Sequence, residues 1–98
     1  MFAVVYSYEA RDPQDFESHY GPEGEWATFF ARGRGFVGAE LLRDTEFPGR
    51  YVLIDRWETR EAFEAFADEH RDEYVQRAGD SELYYLQELR LGSFESVW

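Results

Sequence analysis

The chain has no cysteine, so disulfides, thiolate nucleophiles and thiolate metal sites are excluded. Lysine and asparagine are also missing, and all ten basic residues are arginine. Against them stand 21 acidic residues, for a formal charge of −11, which repels phosphate backbones and anionic membrane surfaces and argues against a nucleic-acid or membrane partner. The opening MFAVVYSYEARD has neither a basic leader region nor an apolar run long enough for export or insertion, and a cytoplasmic location is expected. What the chain has in quantity is aromatic side chains. Nine Phe, seven Tyr and three Trp in 98 residues call for an aromatic core, an aromatic pocket, or both.

The length is that of one domain, spanning residues 1–98. A domain this small buries a modest share of its surface, so a second subunit helps its stability. Phe2 to Tyr8, rich in β-branched and aromatic residues, predicts a first strand. Asp12-Pro13 is an N-cap followed by proline at the first helical position, with Phe16, His19 and Tyr20 on one face. Gly21-Pro22-Glu23-Gly24 interrupts that helix, and Trp26, Phe29 and Phe30 then form an aromatic stripe on a second segment that ends by Gly33. Strands are expected over 36–43 and 50–58, joined as a hairpin across a Pro48-Gly49 breaker. Thr59 caps a helix on which Phe63, Phe66, Ala67, His70 and Tyr74 recur at helical spacing until Gly79. A last strand is expected over 82–91, with 92–98 continuing it or covering an edge.

This is the βαββαβ order of an α+β, ferredoxin-like fold, with helices covering one face of a four-stranded antiparallel sheet. In the third strand, Tyr51, Leu53 and Trp57 alternate with Val52 and Ile54, so both faces are apolar and the helix-free face needs a cover. Two such sheets packed face to face as a homodimer meet that need.

The stretches Gly35-Phe36-Val37-Gly38-Ala39-Glu40-Leu41-Leu42-Arg43-Asp44 and Arg50-Tyr51 through Asp55-Arg56-Trp57-Glu58-Thr59 resemble the antibiotic biosynthesis monooxygenase domain, over about the last two thirds of the chain. Phe16 and Tyr20 through Trp26 are similar to a subgroup of that family. The resemblance implies a dimeric α+β barrel with a ligand cavity between each sheet and its helices. It also implies a range of activities: cofactor-independent oxygenases of polycyclic phenols, haem-degrading enzymes, processors of signal molecules, and members without known activity. Both the oxygenase and the haem-degrading branches use a catalytic Asn, which this chain lacks altogether. The haem branch also pairs a helix Trp with a His about ten residues later, where this chain carries Phe66 and Gln76.

Among candidate side chains, His70 on the apolar helix face and His19 beside the helix break are the two imidazoles available as general acid or base. Neither has a partner at metal-ligand spacing, so no metal is expected. The Gly33-to-Gly38 stretch precedes a strand rather than a helix and offers no phosphate cradle for a flavin or nicotinamide, so the reading carries no cofactor. Glu40, Asp55 and Arg56 lie within apolar strands, where each needs a salt-bridge partner or a wet cavity, and the hairpin can set Arg56 near Glu40. A carboxylate left isolated among aromatics has a raised pKa suited to taking a proton from a phenol. Tyr6, Tyr20, Trp26, Trp57, Phe66 and Tyr74 are the candidates to line a site for a flat aromatic ligand, with core packing as the alternative role for each.

Three functions are compatible with these residues: a cofactor-free monooxygenase of a small aromatic or polycyclic molecule, a ligand-binding or stress-related dimer without turnover, and an isomerase-like or cyclase-like enzyme using His19 or His70.

Overall fold

The computed structural model describes residues 1–97. Four antiparallel strands, β1 (Phe2–Ala10), β2 (Phe36–Arg43), β3 (Arg50–Trp57) and β4 (Tyr85–Glu95), form one sheet in the order β2-β3-β1-β4. The two helical connections, both on the same face, are each broken in two: α1 (Pro13–Tyr20) with α2 (Glu25–Phe30), and α3 (Arg60–Glu69) with α4 (Arg71–Asp80). A 3-10 turn over Ser81–Tyr84 leads into β4. This is the expected α+β ferredoxin-like fold.

Local chemistry accounts for the boundaries. The Asp12 side chain accepts from Asp15 N at 3.1 Å and Pro13 opens α1. Thr59 caps α3 by accepting from Ala62 N at 3.0 Å. Gly49, with φ +87, turns the β2–β3 hairpin. Between α1 and α2 the backbone folds back so closely that a Cβ on Gly24 would collide with the His19 carbonyl oxygen. Only glycine permits that approach, and it holds Trp26 beside the end of α1.

Two expectations are corrected. The helix expected to run unbroken from Thr59 to Gly79 breaks at His70, whose φ of −112° and ψ of 29° leave the helical region. The bend lets Phe66 pack on Trp57 while Tyr74 turns back over Trp26, Phe29 and Phe30. The last strand begins at Tyr85 rather than Glu82, because Ser81–Tyr84 winds into the 3-10 turn, and it runs on to Glu95. Of the tail, Trp98 lies outside the described residues.

In β3 the burial alternates strictly, with Tyr51, Leu53, Asp55 and Trp57 facing the helices. The opposite face carries Val52 and Ile54, together with exposed Leu42, Leu89 and Phe94. Arg56 and Glu40 pair on that outer face at 2.8 Å, as the hairpin register predicts.

Candidate functional site

The inner face of the sheet divides into two regions. Around Trp57 the neighbours are rings without hydroxyls: Phe30, Phe36, Phe63 and Phe66, with centroids 5.1–5.7 Å away. Trp57 is fully buried and its indole N–H has no acceptor. Toward β4 the rings carry hydroxyls, and a cavity of about 90 Å³ opens between the sheet and the second helical connection. Its floor comes from β1 and β3 (Tyr6, Tyr8, Leu53, Asp55), one wall from Tyr20, Trp26 and Phe30, and its roof from Tyr74, Ala78 and Ser81.

Asp55 is the unusual member. Its register partners on the neighbouring strands are Val4 and Ala39, so no cation stands beside it on the sheet. It is only 5% exposed, and its Oδ1 has no hydrogen-bond partner. Burial alone pushes its carboxyl from an ordinary 3.8 up to about 7. Such a group stores the cost of an unsolvated charge, which marks it as a candidate for the functional site.

The hydroxyls around it are held neutral. Burial raises the pKa values of Tyr6, Tyr8, Tyr20 and Tyr74. The Tyr8 hydroxyl donates to Glu88 Oε2 at 2.6 Å, across the β1–β4 pairing. Arg90, the register partner of Tyr6, partly offsets the upward push on that phenol. The cavity thus combines one carboxyl that changes charge near neutrality with several neutral donors.

The predicted site residues separate accordingly. Tyr6, Tyr20, Trp26 and Tyr74 line the cavity together. Trp57 and Phe66 pack on each other at 5.4 Å in the dry region and do not line it. His70 is not on a face turned to the cavity. Because the helix breaks there, its ring lies against Phe29 and Phe66 and borders an acidic surface depression with Asp68, Glu69, Asp72 and Glu73. His19 is 7% exposed, stacks on Tyr84 at 3.9 Å, and places Nε2 2.8 Å from Ser81 Oγ. Trp26 Nε1 donates to the same oxygen at 2.9 Å. Asp55, Tyr8, Ser81 and Glu88 join the lining without having been among the candidate lining residues. Among the described residues no group of three or more His, Asp or Glu is gathered to hold a metal ion, and no helix is long and apolar enough to cross a membrane.

Comparison with solved structures gives the same architecture. The chain is similar to SnoaB, a cofactor-independent oxygenase from Streptomyces nogalater, with 25% identity, a TM-score of 0.76, and coverage of 99% of this chain and 93% of that one. An Asn-to-Ala variant of SnoaB superposes with a TM-score of 0.78. A candidate antibiotic biosynthesis monooxygenase from Bordetella bronchiseptica is 22% identical over 99% of this chain and 97% of that one, with a TM-score of 0.66, and shares the fold. No curated protein matches the chain. The profile described as antibiotic biosynthesis monooxygenase matches residues 27–78, which run from α2 through α4 and include Asp55 and Tyr74. With more than half of its length matched, the chain belongs to the antibiotic biosynthesis monooxygenase family.

Proposed function

We propose that the protein is a cofactor-independent monooxygenase that oxidises an electron-rich aromatic molecule in the cavity between sheet and helices, with Asp55 as the base. The observation that carries this reading is the unpaired, buried Asp55 carboxyl on the cavity floor, ionising near neutral pH among neutral phenols. A base whose pKa matches the working pH combines a useful ionised fraction with adequate proton affinity.

The chemistry balances without an added reductant. Asp55 takes a proton from an activated ring CH2, and the resulting carbanion reduces dioxygen to give a carbon-bound peroxide anion. The proton on Asp55 returns to the peroxide. Loss of water across the C–O–O–H unit then leaves a carbonyl, so that CH2 and O2 become C=O and H2O. Tyr6 and Tyr74, which line the cavity, donate hydrogen bonds in this reading to a substrate oxygen that gains charge as the carbanion forms. In this reading Asp55 takes the role that Asn fills in the family's established oxygenases, and neither histidine is the base.

The reading includes a homodimer formed through the outer sheet face, supported by the exposed Leu42, Leu89 and Phe94 on the side that no helix covers.

Oxygen uptake with an anthrone-type substrate tests the proposal. The wild-type rate is expected to rise with pH through about 7, and Asp55→Asn to lower kcat by roughly 10²–10⁴-fold. Ligand binding with no oxygen uptake would favour the non-catalytic binding dimer instead.

A further inference from the structure

Ser81 and Trp26 line the inner cavity and also an outer groove of about 580 Å³, so these two side chains form the partition between them. His19 lines only the groove side. Ser81 Oγ carries one proton and two lone pairs, and Trp26 Nε1, which can only donate, occupies one lone pair. One proton and one lone pair remain. They are shared between His19 Nε2 at 2.8 Å and the cavity side, where the Tyr20 hydroxyl faces Ser81. Two arrangements follow: Ser81 donates to His19 and accepts from the cavity, or it accepts from His19 and donates to the cavity. Interconverting them moves a proton across the partition.

We propose that Ser81 and His19 form a proton relay that connects the cavity, and through it Asp55, to the outer groove. The relay rests on the reading of Asp55 as the base. At neutral pH a large fraction of Asp55 is protonated and inert, and this route discharges it toward the groove. The 90 Å³ void has room for about three waters, at about 30 Å³ each, to join Asp55 to the Tyr20–Ser81 side. The groups facing His19 suit the transfer. Burial, reinforced by Arg77 of α4 and opposed by Glu25 of α2, holds its pKa below the ordinary value, so the imidazole is neutral and able to accept. Its Nδ1 lies 3.7 Å from the exposed Glu25 carboxylate, on the way out. Tyr84 of the 3-10 turn and Tyr20 of α1 complete its surroundings and hold the ring plane. His19 is then a positioning and relay residue rather than one that touches substrate.

The test follows the protonated Asp55 carbonyl stretch by infrared spectroscopy after a pH jump, the band being assigned by its loss in Asp55→Asn. His19→Gln retains a donor to Ser81 but has no titrating nitrogen. It is expected to slow the decay of the band at least about tenfold while leaving its equilibrium midpoint in place. In His19→Ala, which opens a space toward the groove, added imidazole is expected to restore the rate. Equal decay rates in wild type and His19→Gln, or slow decay in His19→Ala that imidazole does not restore, would overturn the relay with Asp55 still standing as the base. A band that fails to titrate near pH 7 overturns the base and the relay together.

Discussion

The two halves of the inner sheet face are built from similar rings and do opposite things. Around Trp57 the rings are Phe, the packing is dry, and the indole N–H is left without an acceptor in a fully buried site. Around Asp55 most of the rings are Tyr, each bringing a hydroxyl beside Trp26 and Phe30, and the packing stops short and leaves a void. Replacing Phe by Tyr adds a single oxygen per ring. That is enough to turn a region that stabilises the fold into one able to solvate a charge as it forms. Asp55 sits on β3 two residues from Trp57, at the border of the two.

If the dry half holds the fold together, Trp57→Ala should be the most damaging single change. It is expected to lower the stability by roughly 3–5 kcal/mol in urea unfolding, because the emptied volume cannot be refilled by the surrounding Phe rings. A loss below about 1 kcal/mol would erase the division.

Asp55→Asn should act in the reverse direction. Its folded-state pKa, about 7, lies above its ordinary 3.8, so the native state disfavours the ionised form. Stability linked to Asp55 is therefore fully present below about pH 4 and is lost as pH rises toward and through 7. The span corresponds to at most roughly 4 kcal/mol. Thermal unfolding should show Asp55→Asn more stable than wild type at pH 8 and the advantage shrinking as pH falls to 4. A difference independent of pH would mean that Asp55 is solvated. The smallest effect is expected for Tyr8→Phe, which removes the hydroxyl donated to Glu88 and leaves the ring packed at a tilt among Phe16, Tyr20 and Tyr85. A loss of about 1–1.5 kcal/mol in the same unfolding assay fits one hydrogen bond.

The strands were readable because period-2 alternation and turn residues are local signals. Predicted and observed boundaries of β2 coincide, and those of β3 differ by one residue. The break at His70 was not readable. Phe63, Phe66, Ala67, His70 and Tyr74 keep helical spacing through it with no Gly or Pro, and what bends the chain is packing against α2 and β3. The site was half readable for the same reason. Tyr6, Tyr20, Trp26 and Tyr74 follow from aromatic content on helix and strand faces. Asp55 shares the phase of Tyr51, Leu53 and Trp57, a signal present in the strand pattern and outweighed by the expectation of a salt bridge. Arg56 and Glu40 took that bridge on the other face. Ser81 gave no local sign, since its partners lie 62 and 55 residues away.

The bend at His70 carries a further consequence for any ligand larger than a few waters. Beyond the bend, α4 has no fully buried residue, and Tyr74 is its main hold on the aromatic core. The cavity, at about 90 Å³, is far below the roughly 300 Å³ at which pockets for drug-sized molecules begin. A multi-ring guest therefore meets the protein only in the fraction of time that α4 stands away from the sheet. Its apparent affinity is its intrinsic affinity scaled by that fraction, so the firmness of a surface helix, as much as the shape of the cavity, decides how large a guest the protein accepts.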